Sequence, residues 1–395
     1  MLRVPELPLD PDLPVLDLLE PGPLPQATAP LLVTAHGCPL GFVPTGIGDP
    51  RGWAEREYGE SAAAHRDRAG SWQAVLGDRC PAVTVVVATT GERSGPLNVL
   101  LRALLTQTYA PLEVLVVDNR PGTWDQAELL EDPRLRVLEQ PVKGVSAARN
   151  AGLAATTTPL LLFLDDDVVP SPDWAGWLVA GLHATPETAC ATGLILPLDT
   201  RTEGQRLLEE WGGFGKGLER KLHRHPHPSP PGPLYPYQPG AYGSGANVGF
   251  WTEQLRALGG YDEVLGAGTP AHGGEDLAVQ MTVVLSGRHL AYEPCSVVWH
   301  RHRATKQEWT RQLFWYGVGL SATMVRRALS SPRDLHGVLV RLPSAARYAF
   351  SKDSTRNAHR SADYPRSLVA VELLGMLVGP LALVRSWIAS RRARR

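Results

Sequence analysis

Leu160-Leu161-Leu162-Phe163-Leu164-Asp165-Asp166-Asp167 is an apolar run of five residues that passes straight into three carboxylates. An unbroken apolar run of that length reads as a strand buried on both faces, as in a parallel sheet covered by helices. Open α/β sheets bind ligands beyond the carboxyl ends of their strands, which is where the three aspartates fall. Adjacent buried carboxylates need a cation, and a divalent ion that also grips substrate phosphates is the expected use. A plainer reading also fits these residues alone: acids that start a helix and stay solvated before Pro170.

Outward from this strand the pattern repeats. Val83 to Ala88 and Leu112 to Val117 predict two more buried strands, with a shorter one at Leu135 to Leu138. Leu97, Leu100, Leu101, Leu104 and Leu105 carry helical spacing over 96–107, and residues 145–155 favour helix. The predicted order is β-α-β-β-α-β, an α/β domain with a mostly parallel sheet. Downstream, Gly243-Ser244-Gly245-Ala246-Asn247 follows a second proline-rich loop, and Gly259-Gly260 reads as a turn. Gly273-Gly274-Glu275-Asp276 opens a helix to about Leu285, and a strand near Val297-Val298-Trp299 ends in His300.

Glu275-Asp276 sets carboxylates on a flexible approach near the active edge of the sheet, where a general base needs a positioned acid. Acids at a helix start are also commonplace as caps. His300, within Trp299-His300-Arg301-His302, is a candidate ligand for a manganese-like ion, since neutral imidazole binds such metals; a lone histidine is more often structural.

Taken together, five motifs in order over residues 81–325 resemble a family 2 glycosyltransferase of the GT-A fold. They are Val85-Val86-Val87-Ala88-Thr89-Thr90, Val116-Val117-Asp118-Asn119, Gly144 to Asn150, Leu164-Asp165-Asp166-Asp167, and Gly274-Glu275-Asp276 with Trp299-His300. The resemblance implies a nucleotide-sugar transferase with a mixed, Rossmann-like sheet. It implies donor contacts at Ala88, Thr89, Glu92, Asp118, Lys143, Arg149, Asp165 and Asp166. It implies Mn2+ or Mg2+ held by Asp165, Asp167 and His300, and Asp276, beside Glu275, as catalytic base in an inverting displacement. The usual proline and asparagine after the first strand are replaced by Ala88-Thr89-Thr90. Cell-wall, exopolysaccharide or glycolipid assembly is the implied setting, with a carbohydrate or glycolipid acceptor and no nucleic acid.

Residues 1–80 read as a small separate unit: a Pro-rich lead, a β-hairpin around His36-Gly37-Cys38-Pro39, and helix from Trp53 to about Ala74. No chemistry is evident there. Residues 326–395 form a basic helical tail. They hold 14 lysines and arginines against Asp334, Asp353, Asp363 and Glu372, about +10, which leaves about −11 on the remainder of a chain of net charge −1. Such asymmetry suits an anionic leaflet or an anionic acceptor. Within the tail, 368–384 is apolar but short of the roughly 20 residues that span a bilayer, and Gly379-Pro380 interrupts it. It suits a span, an interfacial helix beside Arg391-Arg392-Ala393-Arg394-Arg395, or a core helix. Residues 309–327 carry aromatics at helical spacing, directed either at an acceptor or into the core. Cys38, Cys80, Cys190 and Cys295 show no C-x-x-C spacing, which favours reduced thiols. With no apolar leader at the N-terminus, the expected location is the cytoplasmic face of a membrane.

Two other readings share these residues. The aspartate cluster would also serve a nucleotidyl or phosphoryl transferase, distinguished by product mass, and a binding scaffold would bind donor or glycan without turnover.

Overall fold

The computed structural model describes residues 15–17, 31–35, 38–43, 47–67, 71–92, 94–126, 129–351, 360–361 and 363–393. Most of the Pro-rich lead, His36-Gly37 and Arg394-Arg395 lie outside these residues.

Strands β1 (Val15–Asp17), β2 (Leu31–Ala35) and β3 (Cys38–Val43) form a small sheet in which β2 and β3 pair antiparallel, the expected hairpin. Helix α1 (Pro50–Asp67) and a short α2 (Trp72–Leu76) follow. Leu32 packs with Leu194, Tyr292, Val297 and Trp299. Trp72 joins the main core and donates through Nε1 to Thr108 Oγ1 at 3.1 Å. The segment read as a separate unit is thus packed on the domain that follows. It is also stapled there, because Cys38 and Cys295 form a disulfide with Cα atoms 4.4 Å apart. This overturns the expectation of reduced thiols at these two positions and removes the cysteine argument for a reducing compartment. Their separation of 257 residues gives no local spacing to read. Cys80 and Cys190 are free thiols.

The main sheet begins with the six elements expected, in the expected order: β4 (Val83–Thr89), α3 (Ser94–Leu105), β5 (Leu112–Asp118), β6 (Leu135–Glu139), α4 (Val145–Ala155) and β7 (Leu160–Asp165). Alternate residues feed two cores. Val85, Val87 and Leu162 face the side covered by Leu97, Leu101, Trp174 and Leu178, while Val86, Phe163, Leu153 and Val283 share the other. Both faces are covered, as continuous apolar strands require.

Strand β8 (Val168–Pro170), α5 (Trp174–Leu182), β9 (Thr188–Pro197), α6 (Glu203–Trp211), β10 (Lys221–His223), β11 (Asn247–Trp251), α7 (Thr252–Ala257), α8 (Glu275–Leu285) and β12 (His289–His300) complete the domain. The sheet order is β10-β12-β9-β11-β7-β4-β5-β6, with β8 on the end of β12. Strands β6, β5, β4 and β7 are parallel, and β11 runs antiparallel between β7 and β9.

Helices α9 (Lys306–Ala328), α10 (Pro332–Leu339), α11 (Leu342–Phe350) and α12 (Arg366–Ala393) form the C-terminal layer. By length and composition α12 is apolar enough to cross a membrane, and a third of its apolar window is buried against the rest of the chain. It lies along α9 at a distance that only glycine permits: a Cβ on Gly375 would stand 2.1 Å from Phe314 O, and one on Gly379 would stand 1.8 Å from Ser321 Oγ. Gly379, which interrupts the apolar run in sequence, is therefore part of a packing seam. Glu372 is buried on this side, where Trp211 Nε1 donates to its Oε2 at 3.4 Å. The opposite face leaves Leu374, Leu377, Leu381, Val384, Trp387 and Ile388 exposed.

Candidate active site

The register of β7 sets the site. Ala88 pairs with Asp165 across β4 and β7, and Thr89 pairs with Asp118 across β4 and β5, so three strand ends meet at one edge. Thr89 Oγ1 donates to Asp166 Oδ2 at 2.7 Å and accepts the Gly91 N–H at 3.0 Å, which fixes the loop after β4. Past Asp166 the chain turns into β8, whose antiparallel pairing sets Val168 opposite His300. His300 Nε2 thereby comes within 3.5 Å of Asp167 Oδ1.

One ligand atom each from Asp165, Asp167 and His300 lie within 4.8 Å of one another. Burial lowers the pKa of His300, with the Asp167 charge acting the other way, so the ring is neutral near pH 7. Two carboxylates and a neutral imidazole suit a manganese- or magnesium-class ion by donor chemistry.

The second wall comes from α4 and α8. Arg149 is 3% exposed and bridges two carboxylates, with Nη1 donating to Glu275 Oε1 at 2.8 Å and Nη2 to Asp165 Oδ1 at 2.9 Å. Tyr261 lies 5.3 Å from the guanidinium, in cation–π range. Burial, then the charge of Asp276, pushes the Glu275 pKa up, and Arg149 opposes that rise. Asp276 is half-buried, and its Oδ2 accepts the Gly245 N–H at 2.8 Å. Gly274 caps α8 with φ +89°, in the left-handed region. A Cβ there would stand 2.1 Å from Thr323 Oγ1, so the residue before the acidic pair must be glycine.

The implied donor residues divide. Ala88, Thr89, Arg149, Asp165 and Asp166 converge on the sheet edge. Asp118 is fully buried and already engaged, accepting from Arg120 N–H and from Gln126 Nε2, each at 2.9 Å. Glu92 is exposed and pairs with Arg120. Lys143 is exposed, whereas Arg149, expected beside it at the nucleotide, is buried between carboxylates.

Several neighbours escaped the sequence reading. Half-buried Lys216 lies near enough to Asp276 to feel its charge, and burial lowers its pKa to about 8. Trp211 and Phe214 form an aromatic cluster with Trp309 and Tyr316, two residues of the aromatic stretch read over 309–327, and Phe214 is edge-on to His300 at 5.2 Å. His302 Nδ1 lies 3.0 Å from His300 Nδ1, and His302 Nε2 lies 2.8 Å from Glu209 Oε1. The spacing His300-Arg301-His302 was a visible signal. Glu209, 93 residues from His302, had none.

Residues 84–238 match the model for Glycosyl transferase family 2, and they lie within the α/β domain built on the mixed sheet. The pre-mycofactocin glycosyltransferase of Mycobacterium tuberculosis (strain ATCC 25618 / H37Rv) is 30% identical over 247 residues, 62% of this chain and 48% of that protein. The glucosyl-dolichyl phosphate glucuronosyltransferase of Haloferax volcanii is 26% identical over 194 residues, 46% of this chain and 56% of that protein. The chain spans about half the length of these curated relatives. Among solved structures, the mannosyltransferase PcManGT from Pyrobaculum calidifontis, in complex with GDP-Man and Mn2+, is similar at 18% identity and a TM-score of 0.48, covering 83% of this chain and 96% of that one.

Proposed function

We propose that this chain is an inverting, divalent-cation-dependent glycosyltransferase that moves a sugar from a nucleotide-sugar donor to an acceptor hydroxyl. The observation that carries the reading is the single network joining the candidate metal ligand Asp165, through Arg149, to the Glu275-Asp276 pair. The candidate cation group is thereby joined through Arg149 to the start of α8, where the Gly245 N–H orients Asp276.

Asp165, Asp167 and His300 would hold the cation, which when bound supplies Lewis-acid stabilisation to a departing diphosphate. Asp276 acts as general base. Its Oδ2 is oriented by the Gly245 N–H, and it removes the acceptor hydroxyl proton as that oxygen attacks the anomeric carbon. The new C–O bond forms on the face opposite the breaking bond to phosphate, and the bonding pair leaves with the nucleoside diphosphate. Ala88, Thr89 and Asp166 border the donor. Arg149 offsets part of the charge of Asp165 and Glu275, so that Asp276 works beside a partly compensated pair rather than against two unopposed like charges.

The acceptor is a glycolipid or lipid-linked sugar presented at a membrane surface. Support comes from the exposed apolar face of α12, the basic tail, and the Haloferax relative named for glucosyl-dolichyl phosphate. The apolar face of α12 lies in the interface while its glycine seam stays on α9.

The test is a panel of UDP-, GDP- and dTDP-sugars with Mn2+, Mg2+ or chelator, a lipid extract as acceptor source, and mass analysis of products. Metal-dependent release of a nucleoside diphosphate, with one sugar added to the acceptor, supports the proposal. Transfer of the nucleotide or phosphate, or binding with no turnover under any condition, contradicts it.

A further inference from the structure

The rings of His300 and His302 face each other Nδ1 to Nδ1 at 3.0 Å, so a single proton must lie between them. Its owner follows from the outer end of the chain. Glu209 Oε1 stands 2.8 Å from His302 Nε2. An ionised carboxylate only accepts, so His302 Nε2 carries a proton. With that nitrogen donating outward, the Nδ1 of His302 is the acceptor of the pair when the ring carries one proton, and the shared proton then belongs to His300 Nδ1. That leaves the lone pair of His300 on Nε2, the nitrogen 3.5 Å from Asp167 Oδ1.

Packing holds this order in place. The His302 side chain is 1% exposed. Phe214 lies edge-on to both rings, at 5.2 and 5.6 Å between centroids. Glu209 sits on α6, while His300 ends β12, so the relay ties a helix outside the sheet to the cation group. Metal-binding histidines commonly have their other ring nitrogen fixed by such an outer partner.

We infer that Glu209 and His302 are positioning residues that lock His300 in the Nδ1–H tautomer and aim its Nε2 lone pair into the Asp165–Asp167 group. The inference rests on the metal reading of those residues, but the tautomer itself does not need a metal.

Two readouts keep the two apart. Ring 15N NMR of the metal-free full chain reports the proton positions, and paramagnetic titration with Mn2+ alone reports affinity. The expected spectrum shows His300 protonated on Nδ1 and His302 on Nε2. His302→Phe should release the His300 tautomer and weaken Mn2+ binding about 10–100-fold, the usual range for loss of an outer partner. His302→Asn, which can set an amide oxygen where Nδ1 was, should stay within a few-fold of wild type. A wild-type proton on His300 Nε2, or equal Mn2+ affinity in wild type and His302→Phe with both folded, overturns the inference. The expected tautomer without any Mn2+ binding in wild type upholds the relay and overturns the metal reading instead.

Discussion

The Gly245 N–H donates to Asp276 Oδ2 at 2.8 Å, so the loop before β11 aims the carboxylate that begins α8. Asp276 is thereby held from two sides, by this loop and by the turn at Gly274. That turn is cramped, since Thr323 Oγ1 donates to Gly274 O at 3.0 Å and leaves no room for a side chain.

Gly274→Ala should therefore disturb function more than stability. A left-handed φ and a close contact together cost at least about 1–2 kcal/mol. Relief by shifting the start of α8 moves Asp276 off its aim. A loss of donor turnover of about tenfold or more, with a melting temperature only a few degrees lower, is the expected pair of results. Unchanged turnover would show that the turn does not position the base.

Arg149→Met should be costly to the fold itself. It leaves the buried Glu275 and the partly exposed Asp165 without their shared cation, and breaking a buried pair such as Arg149–Glu275 typically costs about 3–5 kcal/mol. Urea denaturation at neutral pH measures this. A loss below about 1 kcal/mol would mean that solvent already screens the carboxylates.

Stability should fall in acid partly through His223. The residue is 6% exposed, edge-on to Tyr242 at 4.9 Å, and burial, then the charges of Lys221 and His227, lower its pKa to about 4. The unfolded chain, with the ordinary value near 6.5, takes up the proton first as pH falls. The contribution is complete above pH 6.5 and is lost on the way down to about pH 4, by up to roughly 3 kcal/mol. His223→Phe should flatten that part of the stability–pH curve, and a variant curve parallel to wild type would contradict the assignment.

The outer face of α12 gives a fourth test. Replacing Leu377 and Leu381, 76% and 66% exposed, by glutamate should leave the glycine seam and folding intact. Each buried leucine contributes about 1.5–3 kcal/mol. Sedimentation with phosphatidylglycerol-rich vesicles should therefore drop at least about tenfold. Equal sedimentation of variant and wild type would remove the membrane role from this face.

The legible parts of the sequence were those with strong local patterns. The leucines of α3 and the unbroken runs of β4, β5 and β7 announce their elements, and the acids at the end of β7 announce the strand-end edge of the candidate site. The strand β11 was not read at all, because its Gly243-Ser244-Gly245 approach and the glycine at 249 hide a strand that tertiary pairing with β7 and β9 creates. Asp167 and His300 were found separately, but their meeting depends on the register of β8 against β12, which three residues cannot declare. Cys38 and Cys295, or Glu209 and His302, are joined only by the folded topology.

The most direct test of the central claim compares wild type, Asp167→Ala and Asp276→Asn for Mn2+-dependent release of nucleoside diphosphate from the donor that the panel selects. Wild type should release it only with the cation. Asp276→Asn should still bind donor but turn over about 10²–10⁴-fold more slowly, and Asp167→Ala should lose the response to Mn2+. Turnover near wild type in Asp276→Asn, or full release by all three proteins in chelator, would contradict the assignment of base and cation site.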